Sequence, residues 1–148
     1  MFANHQVPLL YCSAQSYRDS QEVSYGATKS HDGSGLLGYI PRDVSAEKCG
    51  YDIESKLPGT GKLRFIEVKG RVKDSTTVIV TKNEVLTALN KPDDFFLAIV
   101  LVDGETTTTH YVPKPFQREP DFDATSVIYN LNKLLNKGNN QFFDTAFG

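Results

Sequence analysis

Asp52, Glu67 and Lys69 are the residues of this chain whose types and spacing suit chemistry on a phosphate. Two carboxylates held side by side repel each other and invite a divalent cation. An ammonium two residues from one of them is placed to orient a water or to offset charge that develops in a transition state. The stretches that must position them are Gly50 to Ser55 and Leu63 to Arg71, both rich in aromatic and β-branched residues, with the turn-forming Pro58-Gly59-Thr60-Gly61 between. That pattern predicts an antiparallel hairpin. With those four residues as the loop, Leu57 pairs with Lys62 and counting back sets Asp52 opposite Glu67. Strand side chains alternate between faces, so Asp52, Glu67 and Lys69 then share one face, and a slip of one residue would send Asp52 to the other.

Directly opposed residues hold their Cβ atoms about 4.5–5.5 Å apart, and oxygen ligands bind Mg²⁺ at about 2.1 Å. Asp52 and Glu67 at that separation can share one Mg²⁺ or Mn²⁺, with the Val68 carbonyl as a further ligand. Lys69 would then orient or deprotonate the attacking water. The plain alternative is a solvated hairpin face on which Lys69 pairs with the two acids, worth about 0–1 kcal/mol. Spacing alone favours that plainer reading.

The wider text changes the balance. Asp52 followed by Glu67-Val68-Lys69 resembles the core of the PD-(D/E)XK nuclease superfamily. The strings CGYDIES, FIEVKGR and VTKNEVLTALN resemble the domain at the end of the plant NO VEIN protein, which is also appended to many bacterial helicase-like ATPases. The resemblance runs from about Pro41 to Asn136. It implies a restriction-endonuclease-like core, a Mg²⁺- or Mn²⁺-dependent deoxyribonuclease site made of Asp52, Glu67 and Lys69, and a helicase or ATPase in the same polypeptide or nearby. Relatives carry an amphipathic helix with a glutamate ahead of the first strand. No such helix is legible here, and Gln21-Glu22-Val23 is the nearest counterpart, which removes a third metal-facing acid. The rival expectation is an inert nuclease-fold module that binds nucleic acid or a partner protein without cutting.

Composition bounds both readings. A chain of 148 residues with 39% hydrophobic and 23% charged content is one soluble globular domain by the usual proportions. A formal net charge of −2 argues against a strongly basic grip on nucleic acid, so any DNA contact should be local or assisted. Lys62, Arg64, Arg71, Lys73 and Lys82 cluster in sequence around the site and are the candidate phosphate contacts. Glu54 shares the Asp52 face as an outer acid or a solvent-facing one. Glu84 completes a Thr81-x-x-Glu84 capping box, and the nuclease resemblance implies an extra polar site residue at its place after the third strand.

Cys12 and Cys49 have no ligand spacing, and Cys49 reads as a small apolar residue ahead of a strand. His5, His31 and His110 have no ligand spacing either. Pro58-Gly59-Thr60-Gly61-Lys62 has the wrong spacing for a phosphate-cradling loop. No signal peptide or membrane-length apolar run is present, so a cytoplasmic location is the default and no membrane partner is expected; a homodimer stays open.

Along the chain, residues 1–40 read as an irregular or partly disordered leader that need not be native to the fold, 41–138 as the nuclease-like domain, and 139–148 as a loose tail. After the hairpin, Thr76 to Val80 is predicted as a third strand completing a meander, followed by a helix to about Asn90. Phe95 to Val102 is a strand buried on both faces, Thr107 to Val112 a more exposed one, and Ala124 to Lys137 a helix capped by Asp123 or Thr125. The sum is an α/β or α+β domain, a mixed sheet of about five strands with flanking helices.

Overall fold

The computed structural model describes residues 40–56 and 59–144, with side chains over 41–56 and 59–138. The leader, with Gln21-Glu22-Val23, Cys12, His5 and His31, lies outside the described residues except for Ile40, and so does the end of the tail at 145–148. In chain order the elements are β1 (Ile40–Asp43), a 3-10 turn (Ser45–Glu47), β2 (Ile53–Lys56), β3 (Leu63–Val72), β4 (Thr77–Thr81), α1 (Lys82–Asn90), β5 (Phe95–Asp103), β6 (Thr106–Pro113), β7 (Ser126–Asn130) and α2 (Leu131–Asp144). It is an α+β architecture. Five strands form one mixed sheet in the order β1-β2-β3-β5-β6, while β4 and β7 pair with each other in a second sheet.

β5 takes an inner place, parallel to β3 and antiparallel to β6, because its apolar run can be covered on both faces. One face, with Leu97 and Ile99, packs on Val78 and Val80 of β4, Val85 and Ala88 of α1, and Leu131 and Leu134 of α2. The other, with Ala98 and Val100, joins Ile53 of β2 and Ile66 and Val68 of β3. Phe95, Leu97 and Ile99 are fully buried. Burial of side chains this size stabilises by about 1.5–3 kcal/mol each.

The hairpin register agrees with the loop chemistry. Lys56 pairs with Leu63 and Ile53 with Ile66, which leads to Asp52 beside Glu67. Gly59 and Gly61 both turn with positive φ, 78° and 71°, within the connection.

Two expectations fail. β4 does not extend the hairpin into a meander; β3 takes β5 as its neighbour instead, and β4 pairs antiparallel with β7 through Val78↔Tyr129 and Val80↔Val127. The burial of β4 shows the reason: Val78 and Val80 point into the core while Ile79 is exposed, so the strand lies over the sheet as a separate layer. The helix expected over Ala124 to Lys137 begins only at Leu131 and runs on to Asp144, so residues 139–144, expected in a loose tail, are helical. Ser126 to Asn130 alternate, with Val127 and Tyr129 half-buried and Ser126, Ile128 and Asn130 exposed, a period of two that the spacing of Val127, Ile128 and Leu131 disguised. Asn130 Oδ1 accepts the Lys133 N–H at 2.9 Å and starts the helix, the role expected of Asp123 or Thr125.

Candidate functional site

β2 begins at Ile53, and the side chain of the residue just before it does what a strand backbone would otherwise do. Asp52 Oδ2 accepts the Val68 N–H at 3.0 Å, while the Asp52 N–H donates to the Ile66 carbonyl at 2.9 Å. This ties Asp52 to the edge of β3 left free ahead of β2. A strand residue directs its N–H and C=O to the same side, so the Val68 carbonyl lies on that edge too.

On the face of β3 that meets α1, Glu67 is 4% exposed and is the one charged residue in the buried set among the described residues. Burial first, and the nearby Asp52 carboxylate second, push its carboxyl up to about 9, against the pull of Lys69. Burial also raises Asp52, opposed by the Val68 N–H and the Lys69 charge. Lys69 Nζ lies 2.9 Å from Glu67 Oε1 and 2.8 Å from Glu84 Oε2. Burial works to lower the lysine, but the Glu67 and Glu84 carboxylates outweigh it and the net shift is upward.

Glu84 belongs to α1, and its place is set by the helix start. Thr81 Oγ1 accepts the Glu84 N–H at 3.3 Å, and Glu84 Oε2 accepts the Thr81 N–H at 2.9 Å, a complete capping box. One carboxylate oxygen therefore serves both the cap and Lys69.

Asp52, Glu67 and Glu84 border a cleft of about 230 Å³, and Lys69 stands behind it, joined to Glu67 and Glu84. Its floor is Asp52 and Glu67, one wall is Thr81, Asn83 and Glu84 at the start of α1, and the other is Ser45, Lys48, Gly50 and Tyr51. The second wall closes because Gly50 adopts φ +91° hard against α1, where a Cβ would collide with Thr87 Oγ1 and crowd Asn83 Nδ2. Tyr51 lies edge-on to Phe65 at 4.9 Å and donates its hydroxyl to Glu54 Oε1 at 2.8 Å. Glu54 also pairs with Arg42 at 3.1 Å, and its carboxyl is lowered by the Tyr51 hydroxyl first and Arg42 after it. It buttresses the wall rather than joining Asp52.

Asp52, Glu67, Val68 and Lys69 are thus brought together, and the five candidate phosphate contacts are dispersed. Lys62 is exposed in the hairpin loop. Arg64 lies over Phe96, 5.4 Å from the ring centre, on the opposite face of β3. Lys73 pairs with Asp103 at 2.7 Å, and Lys82 donates to the Phe122 and Asp121 carbonyls at 2.6 and 3.3 Å. Arg71 shares the face of Lys69, and its buried Nε has no hydrogen-bond partner among the described residues. Cys49 is a half-buried free thiol 3.5 Å from the Tyr51 carbonyl. The lining residues to which local pattern gave no role are Ser45, Lys48, Gly50, Tyr51 and Asn83.

The family model described as "Protein NO VEIN, C-terminal" matches residues 21–112, more than half of the chain. The chain belongs to the NO VEIN C-terminal family. The match covers β1 to β6 through Val112, so the NO VEIN C-terminal unit includes the whole cleft and stops before β7 and α2. It also starts upstream of Pro41, where the textual resemblance began. No curated protein matches the chain. Among the described residues no helix is long and apolar enough to cross a membrane.

A divalent cation implied by the nuclease resemblance can be tested against the donors present. Among the described residues no group of three or more His, Cys, Asp or Glu side chains is arranged to hold a metal ion. Two carboxylates and a backbone carbonyl are nonetheless an ordinary set for Mg²⁺, which keeps several of its waters. Asp52 and Glu67 both line the cleft, and the Asp52 charge adds to burial in raising Glu67. The residues fit.

Proposed function

We propose that this NO VEIN C-terminal domain is a metal-dependent nuclease that hydrolyses phosphodiester bonds of DNA. The observation that carries the reading is the convergence of a buried Glu67, Asp52 and Lys69 at the edge of β3. Asp52 and Glu67, with the Val68 carbonyl, would hold Mg²⁺ or Mn²⁺. The bound ion supplies two things, a lowered pKa for a ligated water and stabilisation of charge on a phosphate oxygen. Lys69 orients the attacking water through its ammonium and offsets negative charge as the water oxygen bonds to phosphorus and the P–O bond of the leaving strand breaks, the water's proton passing to solvent and the departing oxygen taking one from it. Asp52 keeps its place through the Val68 N–H, so one carboxylate oxygen stays directed at the cleft.

The formal charge of −2 and the dispersal of the nearby cations favour a domain delivered to DNA by an attached or neighbouring helicase or ATPase. One observation favours a second reading. Lys69 already has two carboxylate partners, and Glu67 with a carboxyl near 9 holds its proton at neutral pH, so the cluster can exist without a metal as the floor of an inert nucleic-acid- or protein-binding module.

Incubation of supercoiled plasmid and of single-stranded DNA with Mn²⁺ or Mg²⁺, against chelator and against Lys69→Ala, separates the two. Metal-dependent cutting lost in the variant supports the nuclease. No cutting by folded protein, alone and with a helicase partner, supports the binding module.

A further inference from the structure

Glu84 does more than the cap of α1 requires. The N3 residue of a capping box reaches back to the N-cap N–H, and glutamine performs that task as well as glutamate. Here the oxygen that accepts the Thr81 N–H at 2.9 Å also receives the Lys69 ammonium at 2.8 Å, a charge-assisted contact that the neutral oxygen of a glutamine would make more weakly.

The arrangement bears on what happens at Glu67. Its Oε1 is engaged by Lys69 at 2.9 Å, so a cation that draws on the Glu67 charge competes with the lysine for it. A buried ammonium that lost its only partner would oppose that exchange, because an unpaired buried charge is strongly unfavourable. The side chain of Lys69 is 19% exposed and has little water to fall back on. Glu84 removes the conflict: it sits on a different element, is fixed by its own backbone bond, and meets the same Nζ.

Resting on the metal-dependent reading, we propose that Glu84 is a positioning residue that acts through Lys69. It retains the ammonium behind the cleft and frees Glu67 for a divalent cation. Glu84 itself does not ligate the ion.

The test is a double-mutant cycle read as Mn²⁺ affinity, from the electron paramagnetic resonance signal of free Mn²⁺, on the whole chain without nucleic acid. The variants are wild type, Glu84→Gln, Lys69→Met and the double variant, with Lys69→Gln as a second background should the methionine variant not fold. Circular dichroism and melting establish that Glu84→Gln keeps its helix and cap. Glu84→Gln is expected to weaken Mn²⁺ binding by about 10- to 100-fold, the usual range for a residue that orients a metal site from outside it. In the Lys69→Met or Lys69→Gln background the same change is expected to alter affinity less than about threefold.

An equal loss in both backgrounds would mean that Glu84 acts on the ion directly and would overturn the proposal, as would unchanged affinity in Glu84→Gln alone. Absence of Mn²⁺ binding by the wild type would instead overturn the metal-dependent reading, and this proposal with it.

Discussion

Lys69 and Lys73 stand four residues apart and end in ion pairs of nearly the same length, yet they belong to different kinds of surface. Lys69 reaches Glu67 and Glu84 at 2.9 and 2.8 Å with its side chain 19% exposed, and Lys73 reaches Asp103 at 2.7 Å with its side chain 56% exposed. Distance does not separate them; desolvation does. The exposed pair exchanges one set of water contacts for another at little net gain. The inner cluster holds three charges away from water around Glu67, an arrangement that hydrophobic residues of equal volume would often match or better for stability alone. A fold that retains it next to a cleft, while its outer cations pair with whatever lies nearest, keeps that charge where chemistry can use it.

The comparison can be broken most severely at Lys69. Lys69→Ala leaves the Glu84 carboxylate without its cation and Glu67 without its hydrogen-bond partner, and is expected to cost about 3 kcal/mol in chemical denaturation, the low end for breaking a buried pair. A cost under about 1 kcal/mol would place the cluster energetically with the surface pairs. Next in size is Gly50→Ala, which puts a methyl group into Thr87 from a left-handed backbone and should cost about 1–3 kcal/mol. Its melting curve should show the loss even though no charge has changed.

The effect of pH is smaller and has a definite sign. Glu67 ordinarily titrates at 4.5 and is pushed up to about 9 here, so between those values the folded protein binds a proton that the unfolded chain does not. Stability therefore falls as pH rises through that window, and Asp52, also raised by burial, acts in the same direction. The metal-free protein should melt on the order of 5 °C lower at pH 8.5 than at pH 6, given about 2–4 °C per kcal/mol in a chain of this length. A rise in melting temperature over that range would contradict the burial of Glu67. Smallest of all, Lys73→Ala should shift stability by about 0–1 kcal/mol, and less still at 1 M salt.

The part of the site legible in the sequence was the part governed by short-range rules. Pro58 to Gly61 define a loop, the loop defines the register, and the register carries Asp52 to Glu67. Thr81 and Glu84 likewise declare a helix start by themselves. That Glu84 would also meet Lys69 depends on where α1 lands against β3, which no local pattern encodes. The same limit explains the two misread elements. β4 and β7 find each other across the chain, with Ile79 paired to Ile128 at the centre of the pairing, and only that partnership makes Ser126 to Asn130 a strand. Seen alone, Val127, Ile128, Leu131, Leu134 and Leu135 make an equally good helical face. The outer cations were indistinguishable by sequence because their roles are fixed by distant partners, Asp103 for Lys73 and the Phe122 carbonyl for Lys82.

The central claim is that Asp52 and Glu67 form a place for a divalent cation, and the most direct measurement is the melting temperature of wild type and Asp52→Asn at pH 8 with and without millimolar Mn²⁺. The wild type is expected to melt several degrees higher with Mn²⁺, as binding to the folded state requires. Asp52→Asn, which keeps its side-chain oxygen for the Val68 N–H but loses the charge, is expected to show no such rise. An equal rise in both proteins, or none in the wild type, would contradict it.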